Sequence, residues 1–246
     1  MGHTRGKLVS VRAILFDLGD TLFRLAPMDE GGIRARLAAA ACDQLGLDTE
    51  DGAKVADDAY AAVVSALRAS YRSNAIAEPS IARLAEPFFA RFGGGASALA
   101  AEMDRIFGEA DTARWVATPE REQHLATFAD AGFELAFVSN TLTHPDLMRA
   151  RLTEFGLLDH ASVHVFSVAV GERKPSPAIY RAALEGLGVA PEEALFVGDR
   201  VREDVLGPQS LGMRGVLTHE FRQEEVGDAR PYGVVSSLLE IWDLLD

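Results

Sequence analysis

The hydrophobic pattern changes character twice along the chain. Val11–Phe16 is a short apolar run that ends in Asp17-Leu18-Gly19-Asp20, which predicts a buried strand followed by a turn. From about residue 30 to 115 no comparable run occurs. Apolar residues recur there at helical spacing instead, at Leu37, Ala41 and Leu45, then at Val55, Tyr60, Val63, Leu67 and Tyr71. Gly46 reads as a helix stop, and Asp48-Thr49 as the next helix cap. Glu78-Pro79 and Phe92–Gly95 punctuate further helices. The glycine run follows no strand, so it reads as a turn rather than a phosphate cradle.

Beyond residue 117 the pattern alternates. Thr118-Pro119 predicts a capped helix running to Ala131, stopped by Gly132. Strands are predicted at Glu134–Val138, Val163–Val168, Ala194–Val197 and Gly215–Thr218. Helices are predicted at Pro145–Phe155, from Ser176-Pro177 to Gly188, at Glu203–Leu211 and at Ser236–Leu245. Strands alternating with helices imply a parallel sheet covered on both faces. The expected architecture is an α/β, Rossmann-like parallel core formed by residues 1–25 and 117–246. An α-helical unit, residues 26–116, is inserted after the first strand.

Ligands of open parallel sheets bind beyond the carboxyl ends of the strands. The first strand ends at Asp17, the second at Ser139-Asn140 and the fourth at Asp199, while Lys174 follows the third. These positions are expected to converge. Two carboxylates on one rim repel each other unless a cation lies between them, and a hard cation such as Mg²⁺ suits oxygen ligands and phosphate. A lysine adds a counter-charge, a serine hydroxyl can hold a phosphoryl oxygen, and a carboxylate can act as a nucleophile through an acyl phosphate.

Ile14–Leu22, with Asp17 at its turn, resembles the first motif of haloacid dehalogenase-like hydrolases. Phe137–Asn140, Arg173-Lys174-Pro175 and Val197–Asp204 resemble the second, third and fourth motifs, in the family's order and spacing. The resemblance implies that Asp17 is the nucleophile and that Asp17, the Gly19 carbonyl, Asp199 and Asp204 surround Mg²⁺. It also implies that Ser139, Asn140 and Lys174 bind phosphate, with Lys174 keeping Asp17 in register and Thr21 supporting the loop. The helical insertion falls where that family often carries a mobile cap. One departure stands out. The position two after the nucleophile, which in that family is an aspartate acting as general acid and base, is Gly19. Asp20, one residue later, and His144 are the candidate replacements.

Composition narrows the partners. A formal charge of −13 over 246 residues disfavours nucleic acid and anionic membranes, and no apolar run is long enough to span a bilayer. The single cysteine, Cys42, forms no intrachain disulfide, which fits a cytoplasmic protein. Of three lysines, Lys7, Lys54 and Lys174, only Lys54 lies in the helical insertion, where it reads as a solvated helix residue. Arg24, Arg34, Arg72 and Asn74 are read as surface positions. The remaining histidines, among them His124, His160, His164 and His219, show no metal-ligand spacing. The expected activity is Mg²⁺-dependent hydrolysis of a small phosphorylated metabolite by a monomer or homodimer. The alternatives are a 2-haloacid dehalogenase, or a catalytically silent protein that binds a metabolite or partner, a reading favoured by Gly19.

Overall fold

A computed structural model describes residues 10–245. Lys7 lies outside them. Six strands form one parallel sheet. They are β1 (Ala13–Phe16), β4 (Glu134–Ser139), β5 (Val163–Phe166), β6 (Ala194–Gly198), β7 (Arg214–Thr218) and β8 (Gly233–Val235), in the order β5-β4-β1-β6-β7-β8. β1 lies between two parallel neighbours, which explains why all four of its residues are apolar and buried. The order reverses on either side of β1, so a crevice opens at the carboxyl ends of β4, β1 and β6.

Helices cover both faces. On one face α5 (Arg121–Asp130) and α6 (Pro145–Glu154) contribute to a cluster that includes Phe16, Leu125, Phe128, Phe137, Met148, Leu152 and Val197. On the other, Ile179, Tyr180, Ala183 and Leu184 of α8 (Pro177–Leu187) pack on Leu15, Val138 and Phe196. Arg121 of α5 is buried to 1% exposure. Its Nε donates to the Leu22 carbonyl at 2.9 Å and its Nη2 meets Glu220 at 2.5 Å, fastening the loop after β1 to the segment after β7.

Between β1 and α5 the chain makes four α-helices, α1 (Glu30–Leu45), α2 (Thr49–Arg72), α3 (Ile81–Phe89) and α4 (Ala96–Ala113). They bury a separate cluster that includes Ile33, Leu37, Val63, Phe89, Leu99, Met103 and Ile106. Asp29, Asp48 and Ser80 cap the first three with side-chain oxygens, and Gly46 ends α1 in the left-handed conformation that suits glycine. This block joins the sheet through a two-stranded antiparallel ribbon of β2 (Arg24–Leu25) and β3 (Trp115–Val116), in which Leu25 pairs with Trp115.

Several local readings are revised. The strand predicted to Val168 stops at Phe166, and Ser167–Val170 forms a helical turn (α7) closed by Gly171 at φ 81°. The α5 helix starts at Arg121, after Glu120 at φ 70°, so Pro119 is not its first residue. Residues 201–206 form a wide π turn followed by a short helix α9 (Gly207–Gln209), and the C-terminal helix is a 3₁₀ run, Leu238–Leu244. Two-residue strands and the edge strand β8 are too short to leave a periodic signature.

Candidate active site

Asp17, Ser139 and Asp199 stand at or just beyond the ends of adjacent strands. Phe16 is in register with Phe137 on one side and Val197 on the other, and the Asp17 N–H donates to the Val197 carbonyl at 2.9 Å. The sheet order, not sequence proximity, therefore brings Asp17 and Asp199 together. Lys174 arrives from the loop before α8. Its Nζ donates to Asp17 Oδ1 at 2.6 Å and to Asp204 Oδ1 at 2.7 Å, with only 3% of the residue exposed. One carboxylate oxygen each from Asp17, Asp199 and Asp204 lies within 4.8 Å of the others.

Each side chain is held from behind. Arg222 donates to Asp199 Oδ2 at 3.0 Å, while Asp199 Oδ1 is buried and has no hydrogen-bond partner among the described residues. Asp204 Oδ2 accepts the Arg200 N–H at 2.9 Å, so both of its oxygens are occupied. Gly198 lies directly against Asp204. A Cβ there would come within 2.3 Å of the Asp204 carboxyl carbon, which explains the glycine before Asp199. Asn140 uses its side-chain amide on the backbone of Lys174, accepting from its N–H at 2.7 Å and donating to its carbonyl at 3.1 Å. That amide positions the lysine loop. Ser139 is 6% exposed and lines the cavity. Thr21 is fully buried under the loop, and its hydroxyl finds no partner among the described residues.

Three carboxylates around one ammonium leave surplus negative charge in a dry site. Burial, reinforced by Asp17 and Asp204, pushes the Asp199 carboxyl up to about 7. Burial also pushes Asp204 up to about 6, against the opposing pull of Lys174. Burial would lower the Lys174 ammonium, but Asp17 and Asp204 outweigh it and hold the group above its usual range. Burial leads for the two aspartates and the neighbouring carboxylates prevail for the lysine, and the mutual repulsion of the carboxylates makes the cluster attract positive charge. An orphaned, buried carboxylate oxygen beside two others is a donor set that fits a hard divalent cation.

This gives a stability prediction. Asp199 and Asp204 hold their protons more tightly folded than unfolded, where aspartate titrates near 4. Their contribution is therefore full below about pH 4 and is lost as pH rises through 6 to 7. Urea midpoints in chelator and in excess Mg²⁺ should coincide near pH 5 and separate above pH 7, with the Mg²⁺ form more stable. A gap that does not widen with pH would contradict this electrostatic account.

The cavity above these groups holds about 580 Å³. The sheet side supplies Asp17, Gly19, Ser139, Asn140, Lys174 and Arg200, and the helical block supplies Tyr71, Ile81, Phe107 and Asp111. Asp111 and Arg114 pair at 2.8 Å, and Asp111 also accepts from the Thr143 hydroxyl at 3.0 Å, linking α4 to the loop after β4. Neither Asp20 nor His144 lines this cavity. Asp20, at φ 56°, accepts the Leu25 N–H at 2.9 Å, and His144 caps α6 with its side chain 67% exposed. Arg24, Arg34, Arg72 and Asn74 are also absent from the lining. Leu25, Arg114, Trp115 and Arg222 had no motif to mark them. Their positions depend on the ribbon and on the loop after β7.

A family profile of haloacid dehalogenase-like hydrolases matches residues 11–212. The chain belongs to that family. It is 38% identical over 149 residues to a phosphoserine phosphatase of Thermus thermophilus, a match covering 61% of this chain and 59% of that one. It is 30% identical over 132 residues to a phosphoglycolate phosphatase of Nitrosococcus oceani, covering 52% and 56%. The match thus spans somewhat over half the length of these relatives. Among solved structures, a 2-haloacid dehalogenase of Pseudomonas syringae pv. Tomato DC3000 superposes with a TM-score of 0.72 at 23% identity, covering 96% and 98% of the two chains. The protein YfnB of Bacillus subtilis, solved bound to magnesium, gives 0.60 at 17%, covering 96% and 99%. At these identities the two structures share the fold.

Proposed function

We propose that this chain is a phosphatase of a small phosphorylated metabolite that works through an aspartyl-phosphate on Asp17 and depends on Mg²⁺. The observation that carries the reading is the Lys174 ammonium bridging Asp17 and Asp204 beside the orphaned oxygen of Asp199, at the floor of the cavity. A halide-releasing reaction has no use for three converging carboxylates, whereas a phosphoryl dianion must be matched by added positive charge. The phosphatase names of the two relatives point the same way.

In this reading an oxygen of Asp17 attacks phosphorus, and Lys174 keeps that carboxylate oriented and ionised. Ser139 and backbone N–H groups of the loop after β4 hold the phosphoryl oxygens, while Asn140 fixes Lys174. Asp17, the Gly19 carbonyl and Asp199 would hold Mg²⁺, with Asp204 supporting from behind. When bound, the ion neutralises charge on the transferring group and helps align it. The helical block, residues 26–116, acts as a cap over the core of residues 1–25 and 117–246, excluding water and contacting the leaving group. Among the described residues no helix is long and apolar enough to cross a membrane. We place the enzyme in the cytoplasm as a monomer or homodimer.

The test is phosphate release from a panel of phosphomonoesters that includes phosphoserine and phosphoglycolate. Release with Mg²⁺ that is lost in chelator and restored by Mg²⁺ is expected. Turnover unaffected by chelator would reject the metal assignment. Chelator-insensitive halide release from 2-haloacids, without phosphate release, would support the dehalogenase reading.

A further inference from the structure

The cavity has an acid-free, apolar wall at Gly19. Gly19 is not in the left-handed region, so its backbone would accept a side chain, yet a Cβ there would lie 2.7 Å from Leu25 Cδ1 and 3.2 Å from Leu25 Cγ. Leu25 fills that space. It is held there by Asp20, whose N–H donates to the Phe23 carbonyl at 2.7 Å and whose Oδ1 accepts the Leu25 N–H at 2.9 Å. The aspartate next to Gly19 therefore locks the leucine in place and does not donate protons into the cavity. Phe23, Met28, Trp115 and Phe107 extend the apolar surface.

Most of the other ionisable groups of the lining face a partner. Both oxygens of Asp111 accept hydrogen bonds, one from Arg114 and one from Thr143. Glu203 faces Arg202 at 3.6 Å. The Lys174 ammonium donates to Asp17 at 2.6 Å and to Asp204 at 2.7 Å. Tyr71 lies against Arg173, with the guanidinium 4.2 Å from the ring centroid.

We propose that the natural substrate is a phosphoryl compound whose leaving oxygen departs as a stable anion from an apolar body, as in aryl, enol or acyl phosphates, and that Leu25 is the residue that sets this preference. The inference rests on the phosphatase reading. In the first step Asp17 forms its bond to phosphorus as the bond to the leaving oxygen breaks. The electron pair leaves with that oxygen, which takes no proton from the protein. In the second step a water oxygen bonds to phosphorus, the Asp17 carboxylate is released, and the water proton passes to solvent. With no side chain to assist, the second step is slow and the phosphoenzyme accumulates.

The experiment compares substituted phenyl phosphates and acetyl phosphate with phosphoserine and phosphoglycolate, in Mg²⁺, on the full chain. General acid assistance is typically worth about 10²–10⁴ in rate. Without it, kcat/KM should rise steeply, approaching about tenfold for each unit fall in leaving-group pKa, because that is the limit in which the leaving group takes up the whole charge. Over the same series kcat should stay nearly constant, and acid-quenched protein should carry phosphate. A double variant, Gly19→Asp with Leu25→Ala, should raise kcat/KM for alkyl esters about 100-fold relative to aryl esters. If that variant fails to fold, the wild-type slope alone decides. Alkyl and aryl esters hydrolysed by the wild type with a flat dependence would overturn this inference and leave the phosphatase reading intact. No phosphate release from any compound would overturn both.

Discussion

Asp17→Asn is expected to lower phosphate release by about 10⁴-fold or more while leaving the metal-free protein folded and no less stable. The two effects share one cause. Asp17 is the proposed nucleophile, and an amide oxygen is too weakly nucleophilic to form the acyl phosphate. Yet Asp17 is also one of three carboxylates crowded within 4.8 Å, where its charge raises the carboxyls of Asp199 and Asp204. The variant removes one charge from a cluster with a surplus, while its Oδ1 can still accept from Lys174. In chelator at pH 8 its urea midpoint should equal or exceed that of the parent, and acid-quenched protein should carry no phosphate. Activity near the parental level would remove Asp17 from the chemistry.

Lys174→Ala is expected to be damaging in both respects. The ammonium is buried and meets Asp17 and Asp204 at 2.6 and 2.7 Å. Removing one partner of a buried ion pair strands the other charge at a cost of about 3–5 kcal/mol, and here two carboxylates lose the same partner. The loss should be greatest in chelator at pH 8. It should shrink towards pH 5, where the raised carboxyls of Asp199 and Asp204 take up protons and the surplus charge falls. Mg²⁺ should recover part of the stability at pH 8 but not the activity, because an ion does not replace a fixed donor to Asp17. Chemical denaturation at the two pH values, with and without Mg²⁺, separates these effects. A variant as stable as the parent at pH 8 in chelator would mean that the carboxylates are already neutralised by some other group.

The acidic floor of the cavity was readable from the sequence because strand ends punctuate it. An apolar run that stops at a carboxylate or hydroxyl marks the rim of a parallel sheet, and β1, β4 and β6 each show this. The helical block was also visible, since its periodicity and caps are local properties. The cavity walls were not. Leu25 and Trp115 belong to a two-residue ribbon whose strands lie about 90 positions apart, and nothing in either segment marks the pairing. Arg222 reaches Asp199 from a loop without regular structure. Asp20 and His144 looked chemical by residue type. One instead locks a turn and the other caps a helix, roles that short polar side chains and turn histidines also fill.

The ribbon that joins helices to sheet carries Leu25 on one strand and Trp115 on the other, and both residues face the cavity. Transplanting another family member's residues 26–113 would exchange the roof, with Tyr71, Ile81, Phe107 and Asp111, but leave that pair untouched. If the helical block and Leu25 act as proposed, such a chimera would inherit the donor's choice of substrate shape and keep this chain's choice of bond.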